Sequence, residues 1–572
     1  MTVVENILRN RFWQLWLIGL FVTVIFLASA FHSRVDLTEE KRFTLSESTK
    51  RVLAKLDEPL QIDVYLTGDL SAGFKRLSIA SEELLNEFKE RGNNNLKFRF
   101  IKPLENLNDS MKMSMQDSLA RMGIKSFTSQ VTAKEGEEQT QRVIFPWAVA
   151  MYGNMKIPID LMSGKSGMDE ESSLNYSEAL LEFKFADAID KLTRKAVPIV
   201  AYAAGNGEIL PPNETIKDLF VNLSKNYRFG VIDLNNGTLN ADTISTLIIA
   251  KPRTKFSETE KLKIDQFVMN GGNVVWFIDK LYAEIDSLFR SQADFVAFDK
   301  NLEIDDLLFK YGVRVNGDLL QDLKCAKQPI IVGQQGNQPQ IQRLPFPYYP
   351  LLTSPSNHPI SKNLDDVLSI FPGTIDTVIA LGIKKTILLA SDTNSRTLST
   401  PALVTLQSIK TEEDFKYFNK SYLPVAVLLE GKFHSLYANR MTQQLQDTFS
   451  LFSKKPFLQD ASKASKQIVV SDGDIVTNVV TKTDGALPMG MQQYENYQFA
   501  NREFLLNAID YLANPGGVLD ARNKSITLRL LNKEKIATEK TKWQFINIGF
   551  PILLVLLFGW LYQARRKKLF ST

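Results

Sequence analysis

Val197-Pro198-Ile199-Val200-Ala201-Tyr202-Ala203-Ala204-Gly205-Asn206-Gly207-Glu208 decides the fold. Residues 198–202 form a short apolar run of the kind that makes a strand buried in a sheet, and the run ends in a glycine-rich turn. Residues 230–234 and 246–250 read as further strands. Lys251-Pro252 breaks the chain, and Ser257 with Glu260 makes a capping box for a helix reaching about Met269. Asn270-Gly271-Gly272-Asn273 ends that helix, and residues 274–279 read as the next strand. Strands and helices alternating at this spacing predict an α/β fold with a doubly wound, flavodoxin-like sheet.

The pattern extends in both directions. Upstream, Ser46 and Thr49 precede an apolar period (Val52, Leu53, Leu56) that predicts a capped helix. Residues 60–66 and 96–101 alternate as strands around a helix over 74–88, a β-α-β unit. Residues 143–149 and 156–161 read as strands and 176–192 as a helix. Downstream, residues 330–365 are rich in Pro, Gln and Asn, and Pro345-Phe346-Pro347-Tyr348-Tyr349-Pro350 reads as irregular loop. Residues 423–429 and 467–471 resume the strands, 501–512 form an amphipathic helix, and 525–530 alternate again. The expected organisation is a first α/β domain over 33–195 and a second over 196–520. The second carries an insert around 285–420 and is followed by a juxtamembrane segment over 521–542.

Both ends are apolar. Residues 12–31 carry no charge, follow Arg9 and Arg11, and are long enough to span a bilayer at about 20 residues. Residues 543–562 are also uncharged and lead into Arg565-Arg566-Lys567-Lys568. Basic residues favour the cytoplasmic side, so residues 1–11 and 563–572 are expected inside and roughly 33–542 outside. Ala28-Ser29-Ala30 also fits a signal-peptide cleavage site, although the apolar run exceeds the usual ~7–15 residues. Either reading leaves the middle of the chain outside.

Composition excludes several functions. The net charge is +4, and the four-residue basic tail accounts for all of it, so nothing points to nucleic acid. The single cysteine, Cys325, rules out an internal disulfide or a Cys-based zinc site, and three histidines form no cluster. Gly164-Lys165-Ser166 lacks the upstream glycine of a phosphate loop, because Ile159 stands there. Any ATP used must therefore bind another chain. No nucleophile elbow occurs, and neither a cofactor nor a metal is expected. Two places remain. Gly205, Asn206, Gly207 and Glu208 follow a strand where open α/β sheets bind ligands, although a structural turn explains them as well. Asp472 and Asp474 flank Gly473 at another strand end, as a carboxylate pair or as a helix cap.

These motifs together resemble one family. Arg42-Phe43-Thr44-Leu45-Ser46 after an N-terminal anchor, Ala204 to Glu208, and Asn270-Gly271-Gly272-Asn273 leading into Val274 to Asp279 are similar to stretches of the auxiliary extracytoplasmic subunits of ABC transporters. So are residues 468–478, the helix over 501–512, Arg529-Leu530-Leu531, Trp543 and Pro551. The resemblance runs in order along nearly the whole chain, in the gliding-motility-associated, GldG-type form of Bacteroidetes. It implies a permease and a separate cytoplasmic ATPase as partners in the inner membrane, with other periplasmic gliding components. It also implies a second domain like a class I amidotransferase without its chemistry. The family turn often carries His where Asn206 stands, and no catalytic residue carries over. The expected function is a non-catalytic, membrane-anchored coupling subunit. The rivals are a ligand- or glycan-binding module, and a hydrolase using Glu208, Asp472 or Asp474. Gly19, Gly549 and Gly559 would let the end helices pack closely against a partner.

Overall fold

In the computed structural model, residues 13–30, 44–523 and 533–570 are described, apart from 93–94, 106, 132–139, 166, 286–287, 289–293, 336–337, 407 and 410. The expected strand over 525–530 and Arg42-Phe43 lie outside the described residues. Contacts divide the chain into two units, Met1–Ser525 and Ile526–Thr572.

In the first unit, Trp13–Ala30 is an uncharged α-helix (α1). Ser46 caps Glu47–Leu53 (α2), its hydroxyl accepting from the Thr49 N–H at 3.2 Å. Buried Glu182 accepts from the Ser46 N–H at 2.7 Å and the Thr49 hydroxyl at 2.8 Å. That explains why a polar Ser-x-x-Thr stretch sits against a core. Then come Leu60–Val64 (β1), Ala72–Arg91 (α3), Leu96–Phe100 (β2), Trp147–Tyr152 (β3), Met155–Asp160 (β4) and Glu170–Thr193 (α4). The sheet order is β2-β1-β3-β4, with β1 and β2 parallel and the other pairs antiparallel. The single strand expected over 143–149 is two strands, Thr140–Ile144 and β3, broken at Phe145-Pro146, where proline has no N–H for a ladder.

The opening stretch forms Ile199–Ala204 (β5). It is followed by Lys217–Asn226 (α5), Arg228–Asp233 (β6), Ile244–Ala250 (β7), Glu258–Met269 (α6) and Asn273–Phe277 (β8). After a long insertion, which includes Asp305–Tyr311 (α7), Cys325–Gln335 (β9), Gln338–Leu352 (β10), Ile383–Ala390 (β11) and Pro424–Gly431 (β12), come Ser465–Val470 (β13) and Asn501–Ala513 (α8). The sheet order is β11-β12-β13-β8-β7-β5-β6. The five strands from β13 to β6 are mutually parallel. The strand expected over 423–429 joins them antiparallel, as β12, with β11 outside it.

Why β5 is apolar throughout follows from its two faces. Val200 and Tyr202 pack with Leu219 and Leu223 of α5 and with Phe504, Leu505 and Ile509 of α8. Ala201 and Ala203 share the opposite cluster with Ile264 and Phe267 of α6 and with Leu307 and Tyr311 of α7. A strand covered on both sides must be apolar at every position. Asn273 ties the strand starts together. Its amide donates to Ser245 O and Leu512 O, both at 3.0 Å, and its carbonyl accepts from the Lys466 N–H at 2.9 Å. At Gly272 a Cβ would come within 2.4 Å of the Phe267 ring.

The proline-rich run expected as loop is strand. β10 contains it, and Phe346, Tyr348 and Tyr349 are buried with Phe371. Proline is tolerated because β10 is an edge over most of its length, meeting its second neighbour only at Leu351 and Leu352.

In the second unit, Lys533–Gln544 (α9), a π-helical turn over Phe545–Gly549 and Phe550–Phe570 (α10) run on continuously. Within them Thr538–Lys568 is the one helix among the described residues long and apolar enough to cross a membrane.

Arg194 links the end of α4 to α8. Its guanidinium lies 2.7 Å from both Asp190 and Asp510, and all three side chains are nearly buried. Asn514 donates to Asp190 at 2.9 Å, and Val518 completes the core of the first sheet. Replacing Arg194 by Met would strand two buried carboxylates. Denaturant titration of the full chain should show a loss of about 3–5 kcal/mol. A loss below about 1 kcal/mol would mean the junction does not depend on this cation.

Candidate functional site

The parallel strands all end on one edge, and both stretches singled out in the sequence lie there. Gly205 to Glu208 follow β5, and Asp472 to Asp474 follow β13. They are not one site. Lys251 to Thr254, the segment after β7, lies between them. Its Lys251 end reaches the aspartates, while the N–H groups of Arg253 and Thr254 donate to Asn206 O at 2.8 and 3.0 Å.

The turn after β5 needs its glycines. Gly205 has φ +130° and Gly207 has φ +78°, a region that side chains rarely adopt. Between them Asn206 is 1% exposed. Its N–H donates to Glu208 Oε2 at 2.7 Å, and its amide donates to Glu260 Oε2 and Lys255 O, both at 3.3 Å. Glu260 Oε2 also accepts from the Ser257 N–H and hydroxyl, so the predicted capping box is formed. Three buried oxygens then remain without a hydrogen bond: Asn206 Oδ1, Glu208 Oε1 and Glu260 Oε1. Each such orphan costs about 1–3 kcal/mol. Burial, with the charge of Glu260 adding to it, pushes the Glu208 carboxyl up to about 7. The sequence marks Glu260 only as a helix cap. Its second role beside Glu208 depends on a strand-to-helix approach that spacing does not reveal.

The aspartate pair gains a third member, Asp279, just after β8. Oxygens of Asp279, Asp472 and Asp474 lie within 4.8 Å of one another. This cluster carries its own cations. Lys251 pairs with Asp474 and lies 3.6 Å from Asp279, and Lys300 lies 3.3 Å from Asp279. Burial would raise the Asp279 carboxyl, but the two lysines outweigh it and hold it below the ordinary range. Burial, helped by Asp474 and Asp279, pushes Asp472 well up. Asp472 accepts from Ser369, from the Ile370 N–H at 2.8 Å and from the Asp474 N–H at 2.7 Å. Hydrogen bonds and lysines thus fill the space between the carboxylates. Gly473 permits this, since a Cβ there would come within 2.9 Å of Lys251 and 3.0 Å of Asp279.

The remaining candidates have local explanations. Lys165 lies over the Tyr176 ring at 5.3 Å. Burial pushes the Cys325 thiol up to about 12, leaving almost no thiolate for nucleophilic chemistry.

A family model described as an ABC-type uncharacterized transport system matches residues 198–508, just over half of the chain. A second model, for a domain of unknown function, matches residues 39–151. An uncharacterized protein of Borreliella burgdorferi is 20% identical over 587 residues, which covers 98% of this chain and 100% of that protein. Among solved structures, the mmIFT52 N-terminal domain is 14% identical with a TM-score of 0.29, covering 55% of this chain and 97% of its own. A ThuA-like protein of Parabacteroides merdae is 10% identical with a TM-score of 0.27, covering 57% and 92%. At these scores neither structure informs the site.

Glu208 gives a pH signature. The folded protein holds its proton up to about pH 7, whereas the ordinary value is 4.5. Between these values the folded state binds more protons than the unfolded chain. In metal-free buffer, Glu208's contribution to stability should therefore fall as pH rises from 4.5 to 7, by about 3.4 kcal/mol at most, and then level off. Denaturant titrations of wild type and Glu208→Gln at each pH check this: the decline should be smaller in the variant by that amount.

Proposed function

This chain belongs to the family of ABC-type transport-system auxiliary proteins, and on that premise we propose that it is a non-catalytic, membrane-anchored coupling subunit. It would dock on a permease, while ATP is hydrolysed by a separate cytoplasmic chain. The observation that carries this reading is the long apolar C-terminal helix, uncharged over residues 543–564 and followed at once by Arg565-Arg566-Lys567-Lys568. On the positive-inside rule the basic tail lies in the cytoplasm. With α1 as a second span behind Arg9 and Arg11, both termini are inside and residues of about 33–542 lie in the periplasm, at the inner membrane. The two-domain division at about residue 195 and the flavodoxin-like reading of the second domain belong to this proposal. The order β6-β5-β7-β8-β13, second-first-third-fourth-fifth in sequence, supports the latter. The amidotransferase-like reading rests on the sequence resemblance. So does assignment to the gliding-motility-associated branch of Bacteroidetes, with its periplasmic gliding partners.

A second reading, a ligand- or glycan-binding module of the same complex, draws on the three orphaned oxygens beside Gly205.

Partner helices can approach at the small residues of the end helices. A Cβ at Gly19 or Gly559 would meet nothing within 4 Å, and at Gly549 only the Phe545 ring at 3.5 Å. The wild-type chain should co-purify with a permease and an ATPase in mild detergent. Gly549→Leu with Gly559→Leu should cut that recovery several-fold while the chain stays in the membrane. Recovery of a lone wild-type chain would sink the coupling reading, and unchanged recovery by the variants would reduce the helix to an anchor.

A further inference from the structure

The two acidic clusters on the sheet edge differ in one respect. The aspartates enclose Lys251 and Lys300. Among the described residues no cation pairs with Glu208, Glu260 or nearby Asp233. Adjacent lysines are engaged elsewhere: Lys255 with Glu303, Lys261 with Glu258 and Asp306, and Lys263 with Leu234 O and Asn235 O. Arg253 contributes its backbone to the turn, and its side chain is exposed.

We propose that Asn206, Glu208 and Glu260 form a binding site for a hard divalent cation of the Ca²⁺ or Mg²⁺ class at the end of β5. Three observations meet there. Asn206, Glu208 and Glu260 are 1%, 8% and 3% exposed, and each has one side-chain oxygen without a hydrogen bond. All three free atoms are oxygens, the donor type that hard cations take. Gly205 lets the backbone approach one of them closely. A Cβ there would sit 3.4 Å from Glu260 Oε1, 3.3 Å from Asp233 Oδ1 and 2.8 Å from Asn235 Nδ2. The position, at the carboxyl ends of β5 and β7, is where strand order reverses and where open α/β sheets bind ligands.

A cation there would supply the missing countercharge and satisfy the orphaned oxygens. The alternative is a proton held by Glu208 beside Glu260, with no metal.

This inference rests on the ligand-binding reading, and the experiment separates the two. Full-length protein in detergent is stripped with EDTA and titrated with CaCl₂, MgCl₂ and a panel of monosaccharides by calorimetry and thermal shift. Expected is one equivalent of Ca²⁺ or Mg²⁺ per chain, with Tm rising by about 2 °C or more. The affinity should drop at least about tenfold in Glu208→Gln and in Gly205→Ala, and stay unchanged in Asp474→Asn. If those variants fold poorly, wild type and Asp474→Asn decide: each should take up one equivalent of Ca²⁺ or Mg²⁺ and release it to EDTA. No response to either metal, or loss of binding in Asp474→Asn alone, overturns the site. A sugar response that needs Glu208, without a metal response, overturns the cation and keeps the ligand reading. Absence of both responses overturns both.

Discussion

The Lys251 ammonium, held between Asp279 and Asp474, closes the edge on which the central sheet depends. β8 and β13 are adjacent parallel strands, yet the whole insertion from Ile278 to Ala464 lies between them in sequence. Bringing such distant segments side by side costs chain entropy that grows slowly with length, and something must hold the ends together. Here the Gly473 N–H donates to Asp279, and Lys251 spans both carboxylates. Lys251 itself sits at φ +51°, a backbone conformation that non-glycine residues adopt at a cost. The charge pairing accounts for its being tolerated.

Because the ends are held, the insertion can be large without loosening the sheet. Part of it returns to the sheet as β12 and β11, extending it beyond β13 in the antiparallel sense. The rest builds its own core around Phe346, Tyr348, Tyr349 and Phe371. The four residues from Lys251 to Thr254 also reach Asn206. One short segment therefore positions both the closed, lysine-filled cluster and the open, uncompensated one. The contrast between them is electrostatic: equal burial of carboxylates is harmless where cations are built in, and demands a proton or a ligand where they are not.

Much of the central sheet was legible because buried parallel strands and capped helices leave local marks. The apolar run of β5, the Ser257–Glu260 box and the Gly271-Gly272 stop all form where the spacing puts them. β10 was not legible, because its prolines read locally as loop. Among the described residues, β10 meets a second neighbour only at Leu351 and Leu352, and that makes its prolines acceptable. The candidate site was half legible. Gly205 to Glu208 stand out as a turn after a strand, but Glu260 and Asp279 join their clusters through tertiary approach. A sequence separation of 52 residues, from Glu208 to Glu260, carries no signal of contact.

The C-terminal helix answers a local constraint of its own. Pro551 cannot donate to the carbonyl of Asn547, and its ring crowds that position. The chain absorbs this by widening into a π-turn over Phe545–Gly549, directly before Pro551. Such a turn interrupts the regular helical surface, while the Phe550 N–H donates to Phe545 O across it. An apolar helix must satisfy its backbone groups internally wherever water is excluded, and the widened turn does so for Phe545 O. The irregularity is thus the helix's own local answer to Pro551, made where Gly549 leaves the turn without side-chain bulk.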